Sequence, residues 1–399
     1  MLPYEKKGVH FVIIERVRVT YVDRSFWGQF SERQDLLEFA HPMAMYPKFR
    51  HPVSSWFPDV RLCVVEIQTT DGLVGTGWAE DYSGATSVIV ERHLERFLVG
   101  ADARNRDLLW DQMYRSTLPY GRKGPAMFGI SAVDIALWDL VGKGFGQPVY
   151  QLLGGKSRDS IPLYASALHF KDEDSFASEA SEYVRRGFKA MKMRFRHGPA
   201  DGREGFQRNI KIVELLRTTV GDNIDIMADA YMSWDLEYAL RMTRALAPFD
   251  LKWLEEPLMP DQLRDYVKLR HDSPVPIAAG EHESSRYGFT QLIESKAVDI
   301  VQFDMGRVGG FTEARKICTM AQVAGLPVFT HAYGLPAIQL AANQTVLGMV
   351  EYFPIPVWEE IEEEPHYDGS PQPVNGAVIV GNEPGLGAKL NLPDFIPLG

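Results

Sequence analysis

Five titratable residues follow short apolar segments in the second half of the chain, and their spacing predicts that they meet. They are Asp229, Glu255, Glu281, Asp304 and His331. Successive members lie roughly 25 residues apart, which suits one strand, one helix and two loops. Because the strands of an α/β barrel end on one rim, we expect three acids and an Asp–His pair to converge at one mouth. A metal site with an attached acid/base group requires such a set.

The three acids that come first are the candidate metal ligands. Carboxylates are the hard oxygen ligands that Mg²⁺ and Mn²⁺ prefer, and the sequence shows no histidine or thiolate set for zinc. Any single acid could instead cap a helix or form an ion pair. Their matching positions at three strand ends favour a metal site formed by Asp229, Glu255 and Glu281.

Asp304 and His331 form the second candidate group. Each ends one of two consecutive repeats, so the two residues should lie side by side at the same level. An aspartate bonded to one ring nitrogen would orient the imidazole and leave the other nitrogen basic. A histidine alone would more often be a structural residue, so the prediction depends on the pair.

Two cations alternate with methionines on the second predicted barrel strand. Lys192 and Arg194 share one side of that strand, which in a barrel is the interior. Beside three acids, they could bind an anionic substrate, or they could form structural ion pairs. Glu351, in the predicted eighth strand, could assist the chemistry or pair with Lys192.

Composition excludes several classes of function. The net charge of −11 argues against a nucleic-acid partner. Cys63 and Cys318 are the two cysteines, which argues against a disulfide framework and suits a reducing compartment. No uninterrupted apolar run reaches membrane-spanning length, and the N-terminus lacks the profile of a signal peptide. We therefore expect a cytoplasmic protein.

The pattern of elements predicts two folding units. Residues 1–155 should form an α+β capping domain, with a hairpin at 61–80 that turns at Asp71-Gly72. Residues 156–357 alternate strands and helices, which predicts a modified (β/α)7β TIM-type barrel. We expect residues 358–399 to return to the capping domain. Within the capping domain we predict a strand at 10–22, an irregular stretch at 23–59, and helices at 85–99, 106–116 and 131–145.

Over essentially its whole length, the sequence resembles the enolase superfamily, in its mandelate racemase subgroup. The motifs that carry the resemblance are KAMKMRF, DAYMSWD, WLEEPL, GEHES, QFDMGRVGG, THAYG and the closing EPGLG. The resemblance implies one Mg²⁺ per active site, with Mn²⁺ as a substitute, held by Asp229, Glu255 and Glu281. It also implies that the metal binds the substrate carboxylate and stabilises the ene-diolate formed when the α-proton leaves.

Within this subgroup the sequence is most similar to dehydratases of acid sugars. The closer similarity lies in GEHE, HPMAMYPKFR and DAYMSWDLEYA. It implies that His282 contacts the substrate. We expect residues 23–61 to form a capping loop over the barrel mouth. In this capping loop, His41, Arg50 and His51 are further candidates for substrate binding, although a solvated loop would also carry such residues.

Arg194 departs from the Lys-x-Lys pattern that many subgroup members carry on this strand. A guanidinium stays protonated, so Arg194 cannot accept an α-proton. A racemase needs a base on each face of the α-carbon, whereas a dehydratase needs one base and an acid for the leaving hydroxyl. His331 could serve as both. We therefore expect a dehydratase that converts an aldonate to a 2-keto-3-deoxy acid.

Two other functions remain open from the sequence. With Lys192 as a second base, the protein could be a racemase, an epimerase or a cycloisomerase of a related carboxylate. It could also be a regulatory protein that binds sugar acids without turnover. The resemblance further implies a homo-oligomer.

Overall fold

A closed barrel of eight parallel strands forms the second half of the protein. The structure is a computed structural model. It describes residues 12–23, 38–50, 55–58, 60–332, 334–353, 367–368 and 371–390. Strand β11 pairs with β4 and closes the barrel. The strands are β4 (Ser160–His169), β5 (Ala190–Arg194), β6 (Asp225–Asp229), β7 (Leu251–Glu255), β8 (Ile277–Ala279), β9 (Ile300–Asp304), β10 (Val328–His331) and β11 (Leu347–Tyr352).

A helix follows each of the first seven barrel strands, which confirms the predicted (β/α)7β architecture. These helices are α5 (Glu173–Arg185), α6 (Gly202–Val220), α7 (Leu236–Leu246), α8 (Leu263–Asp272), α9 (Ser285–Glu294), α10 (Gly310–Ala324) and α11 (Leu335–Asn343). The helix before β5 ends near Gly187, whose φ of 87° suits a left-handed C-terminal residue.

An apolar layer fills the barrel below its mouth. Every strand contributes one residue to this layer: Tyr164, Ala190, Met227, Trp253, Ala278, Ile300, Phe329 and, partly buried, Met349. The ring centroids of Trp253 and Phe329 lie 4.7 Å apart. Since strand residues alternate in direction, the residues two positions further along the strands face the mouth above this layer. The layer therefore forms an apolar floor beneath the charged strand ends.

The capping domain is an antiparallel sheet covered by helices. The sheet consists of β1 (Ile14–Asp23), β2 (Val60–Thr69) and β3 (Val74–Tyr82), and the predicted turn at Asp71-Gly72 joins β2 to β3. The helices are α1 (Ala85–Ile89), α2 (Arg106–Thr117), α3 (Pro125–Phe145) and α4 (Val149–Leu152).

Two predicted helices differ in extent from the observed ones. Helix α3 begins at Pro125, before the predicted start at 131, because proline at the first helical turn loses no intrahelical hydrogen bond. The predicted helix at 85–99 is α-helical to Ile89, then continues as a π-helical turn over Val90–Leu94 and a 3₁₀ turn over Glu95–Phe97.

Helix α3 joins the capping domain to the barrel. The indole Nε1 of Trp138 donates to Oγ1 of Thr312 at 3.0 Å, and the backbone N–H of Thr312 donates to Asp134 at 2.9 Å. Helix α3 is long and apolar enough to cross a membrane, but 89% of its apolar segment is buried inside the fold. Its apolar character is that of a core helix.

The described part of the C-terminal segment contacts both units. Strand β13 (Ala377–Ile379) pairs antiparallel with β4, and β12 (Tyr367–Asp368) pairs with β14 (Lys389–Leu390). The backbone N–H of Leu386 donates to Asp139 in α3 at 2.9 Å. The boundaries at residues 155 and 357 stay a prediction.

Gly77 in β3 should be essential to the packing of α3 on the capping sheet. A Cβ at this position would lie 2.1 Å from the carbonyl oxygen of Ala132 and 2.4 Å from the amide nitrogen of Ala136. Because both contacts are backbone, Gly77→Ala must displace the helix, and we expect a loss of about 1–3 kcal/mol in the free energy of unfolding. Gly381→Ala is the matched control, since no atom lies within 4 Å of its added Cβ. Urea unfolding of both variants tests the prediction, and equal midpoints would contradict it.

Candidate active site

The three predicted metal ligands lie at neighbouring strand ends at the barrel mouth. Asp229 and Glu255 are the last residues of β6 and β7 and pair in register, and Glu281 lies two residues beyond β8. Their exposed fractions are 2%, 0% and 3%. Gly280 precedes Glu281 with a φ of 131°, and a Cβ there would lie 2.6 Å from the carbonyl oxygen of Gln302. Only glycine fits this approach to Glu281.

Fixed donors orient the Asp229 carboxylate. Its Oδ2 accepts a hydrogen bond from Nη1 of Arg194 at 2.9 Å, and its Oδ1 accepts one from the backbone N–H of Tyr231 at 2.8 Å. Tyr231 has a φ of 42°, a strained conformation of the kind that clusters at functional sites.

The Glu255 carboxylate is held from the barrel interior. Its Oε2 accepts hydrogen bonds from Nε1 of Trp253 at 2.9 Å and from Nε2 of Gln302 at 3.0 Å. Its Oε1 pairs with the ammonium of Lys192. The apolar floor thus supplies, through Trp253, one of the groups that fix a candidate ligand.

The donor set fits a divalent cation. Burial raises the pKa values of Asp229 and Glu255, and the neighbouring acids raise them further; the charges of Arg194 and Lys192 oppose the rise at Asp229, and that of Lys192 opposes it at Glu255. A hard divalent cation would offset this repulsion, and oxygen is the ligand that Mg²⁺ prefers. Asp229, Glu255 and Glu281 are therefore suited to bind Mg²⁺.

A second group at the mouth also has potential ligand atoms close together. Atoms of Glu256, Glu281 and His282 lie within 4.8 Å of one another, the one such group found among the described residues. The predicted set does not share this spacing, and two of its members, Glu255 and Asp229, pair with Lys192 and Arg194. The second group includes an imidazole, which Mg²⁺ binds less readily than carboxylate. Donor chemistry therefore favours the predicted set.

Asp304 and His331 are adjacent in register at the ends of β9 and β10. The Nδ1 of His331 donates to Oδ2 of Asp304 at 2.7 Å, and Oδ1 of Asp304 accepts from the backbone N–H of Gly306 at 2.6 Å. The other ring nitrogen, Nε2, lies 3.6 Å from Glu281 and 4.0 Å from Glu351. Nε2 therefore faces the acids at the centre of the mouth.

The environment of His331 makes its imidazole more basic. Burial alone would lower its pKa, but the charges of Glu281 and Glu351 and the hydrogen bond to Asp304 raise it to about 9. The positive charge of a divalent cation held beside Glu281 would oppose this rise and favour the neutral ring, whose Nε2 can take a proton from carbon.

Lys192 and Glu351 form an ion pair inside the barrel. The Lys192 ammonium lies 2.7 Å from Glu351 and 3.9 Å from Asp229, besides its pairing with Glu255. Burial would lower the pKa of Lys192, but Glu255, Glu351 and Asp229 together raise it. The Oε2 of Glu351 also accepts from the backbone N–H of Ala332 at 2.6 Å. Lys192 is therefore held as a cation.

His282 lies at the mouth beside the acids. Its Nδ1 is 2.6 Å from Glu256 and 3.6 Å from Glu281, and its ring packs edge-on against Tyr231 with a centroid separation of 5.9 Å. About a quarter of its side chain is exposed. This position agrees with the predicted contact to substrate, which stays a prediction.

The two described capping-loop candidates make contacts within the capping loop and with the loop after β5. The Nε2 of His41 lies 3.2 Å from the carbonyl oxygen of Arg50. Arg50 donates to the carbonyl oxygen of Ala44 at 3.2 Å and pairs with Asp201 at 3.3 Å. Since Asp201 lies in the loop between β5 and α6, these contacts fix the capping loop on the barrel. His51 lies outside the described residues.

Phe39 and Tyr231 also reach the mouth, although the sequence analysis did not select them. The two rings lie 5.5 Å apart, and the Arg194 guanidinium lies 6.0 Å from the Phe39 ring. The backbone N–H of Ala40 donates to the carbonyl oxygen of Phe195 at 2.7 Å, which fixes Phe39 above the strand ends. Isolated aromatic residues in a loop show no periodic spacing that would indicate a site.

Arg307 links the site to the capping domain. Its guanidinium lies 2.8 Å from Glu80 at the end of the capping sheet and 3.3 Å from Glu281. A cavity of about 360 Å³ lies between the two domains, with Tyr82, Phe128, His282 and Arg307 among its lining residues. The capping domain therefore forms one wall beside the charged mouth.

Comparison with protein families agrees with this geometry. Residues 175–395 match the model described as enolase C-terminal domain-like, and residues 49–154 match the N-terminal domain of mandelate racemase and muconate lactonizing enzyme. The chain belongs to the mandelate racemase subgroup of the enolase superfamily. The matched segments of this enolase-superfamily member include the ends of barrel strands β5 to β11 and most of the capping domain.

Relatives of this enolase-superfamily member include L-rhamnonate dehydratases. The L-rhamnonate dehydratase of Saccharopolyspora erythraea is 38% identical over 358 residues, 88% of this chain and 89% of the relative. A crystal structure of rhamnonate dehydratase from Gibberella zeae complexed with Mg has a TM-score of 0.85 and 30% identity, covering 97% of this chain and 96% of that one. The 3,6-anhydro-D-galactonate cycloisomerase of Zobellia galactanivorans has a TM-score of 0.77 and 28% identity, covering 95% and 97%.

Two adjacent glutamates distinguish the two possible ligand sets. Glu255→Gln should abolish Mg²⁺ binding measured by calorimetry, because it removes a charged ligand from the predicted set. The matched control is Glu256→Gln, which belongs only to the alternative set and should weaken binding by no more than about 10–100-fold. The reverse ranking of the two variants would identify Glu256 as the ligand instead.

Proposed function

We propose that the protein is a Mg²⁺-dependent dehydratase of acid sugars, of the L-rhamnonate dehydratase type. The proposal rests on the different groups that the two sides of the barrel mouth present. One side presents Nε2 of His331, backed by Asp304, as the group that can exchange a proton. Lys192 and Arg194, both held as cations, lie on β5, which β11 and β4 separate from the strand of His331. One base suffices for dehydration but not for racemisation.

Asp229, Glu255 and Glu281 would hold the Mg²⁺. When bound, the metal supplies positive charge that stabilises the anion formed on loss of the α-proton. Lys192 and Arg194 add fixed positive charge on the side of β5. These charges are in place before the reaction, so they need no reorganisation as the anion forms.

His331 would move the protons. Its Nε2 takes the proton from the carbon next to the carboxylate, while Nδ1–H continues to donate to Asp304 and steadies the imidazolium. The imidazolium then protonates the β-hydroxyl, the carbon–oxygen bond breaks and water leaves. The resulting enol becomes the 2-keto-3-deoxy acid, and His331 returns to its neutral form.

The environment of Lys192 weakens the case for a two-base reaction. Its three carboxylate neighbours favour the charged form, and a charged amine cannot accept a proton from carbon. An epimerase or cycloisomerase remains the second candidate because a cycloisomerase is among the structural neighbours.

The names of the relatives support L-rhamnonate as the first substrate to test. A role in carbohydrate catabolism would follow from that substrate. The cytoplasmic location and the homo-oligomeric state stay predictions.

Turnover in D₂O should distinguish elimination from epimerisation. We expect NMR to show loss of the β-hydroxyl and formation of a keto acid when L-rhamnonate and related aldonates are incubated with enzyme and Mg²⁺. Elimination is expected because one group, His331, serves as base and then as acid. Recovery of a deuterated isomer of the substrate, without keto acid, would favour the epimerase instead.

His331→Asn should remove both turnover and exchange of the α-proton with solvent deuterium. The expected loss is at least about 10²–10⁴-fold, because general acid–base catalysis by the residue is lost. The control is His271→Asn, at the end of α8, where 86% of the side chain is exposed. Exchange at the wild-type rate in His331→Asn would exclude His331 as the base.

A further inference from the structure

A register shift near the end of β4 changes the direction of its last residues. Ser166 lies opposite Lys192 and therefore faces the barrel interior. Strict alternation would also send Leu168 inward, yet Leu168 lies opposite Met193 and packs in the core between barrel and helices. Ala167 is thus an extra residue in the strand, a β-bulge.

The bulge directs His169 into the mouth. His169 lies opposite Arg194, whose guanidinium reaches Asp229 inside the mouth, so both side chains point to the same side. The Phe39 ring packs edge-on against the imidazole with a centroid separation of 6.1 Å. Bulges beside active sites often re-aim one side chain in this way.

One ring nitrogen of His169 is placed to form a hydrogen bond with a bound molecule. Its Nδ1 is buried, and within the described part of the chain no group hydrogen-bonds to it. Burial lowers the pKa of His169 to about 3, and the charges of Arg194 and Lys171 act in the same direction. The ring is therefore neutral, with one nitrogen that donates and one that accepts. Such a ring suits a neutral hydroxyl better than a carboxylate.

We propose that His169 hydrogen-bonds to a hydroxyl group of the substrate and thereby sets which hydroxylated acids are accepted. This proposal rests on the dehydratase function. His331 reaches the reacting carbons from β10, whereas His169 lies on β4, with β11 between the two strands. The contacted hydroxyl is therefore one beyond the two reacting carbons, and Phe39 covers it from the capping loop.

The test combines variants of His169 with substrates that lack single hydroxyls. His169→Phe keeps the bulk of the ring but removes its hydrogen-bonding atoms, whereas His169→Asn keeps a donor and an acceptor near the position of Nδ1. We expect His169→Phe to lower kcat/KM for the best aldonate by about 10- to 100-fold, and His169→Asn to lower it less. For one of the 4-deoxy and 5-deoxy analogues, His169→Phe should cause no further loss.

An equal loss for the parent aldonate and for both analogues would overturn the proposal, because it would indicate a structural defect. Unchanged kcat/KM in His169→Phe would overturn it as well. His271→Phe, at the exposed end of α8, is the matched control and should behave as wild type.

A wrong dehydratase assignment can be distinguished from a wrong role for His169. If the wild-type protein turns over no aldonate, calorimetric titration with the same aldonates still tests His169. Binding that weakens in His169→Phe but not in His271→Phe would keep the contact while the reaction is discarded. Absence of aldonate binding to the wild-type protein would overturn both proposals.

Discussion

The arrangement of this protein depends on burying more negative than positive charge at one end of a barrel. The buried acids that meet there include Asp229, Glu255, Glu281 and Glu351. Removing charges from water is costly unless each charge is paired and hydrogen-bonded. Lys192 and Arg194 offset part of the excess, and a divalent cation would offset more of it. The fold must therefore hold the acids against their own repulsion.

The backbone of the barrel and its apolar floor hold the acids in place against this repulsion. Asp229 and Glu255 end paired strands, so the sheet hydrogen bonds fix their spacing. The indole of Trp253 belongs to the apolar floor and at the same time donates to Glu255. Strained backbone follows the strand ends, as at Glu256 and Ala332, both with positive φ. A rigid, apolar lower layer thus keeps a highly charged upper layer in place.

The sequence was sufficient to predict a site residue where the local hydrophobic pattern agrees with the geometry of the barrel strands. Apolar runs that end on Asp229, Glu255 and His331 predicted strand ends on one rim, because parallel barrel strands all point the same way. Alternation along β5 likewise placed Lys192 and Arg194 inside. These features depend on period and spacing, which a sequence displays directly.

The remaining features depend on contacts between distant segments. The bulge at Ala167 breaks the alternation of β4, so the rule that placed Lys192 correctly would have directed His169 outward. Arg50 pairs with Asp201, which lies 151 positions away in the sequence. Phe39 lies over the mouth only because its neighbour Ala40 bonds to Phe195. No periodic pattern encodes such contacts.

The bridge formed by Arg307 also affects how this protein can diversify. Because one guanidinium contacts both Glu80 and Glu281, the charge around a candidate metal ligand depends on a residue of the other domain. A capping domain taken from a relative would bring its own residue to the position of Glu80. The two domains are therefore not independent modules, and recombination between relatives is constrained to exchanges that preserve this shared ion pair.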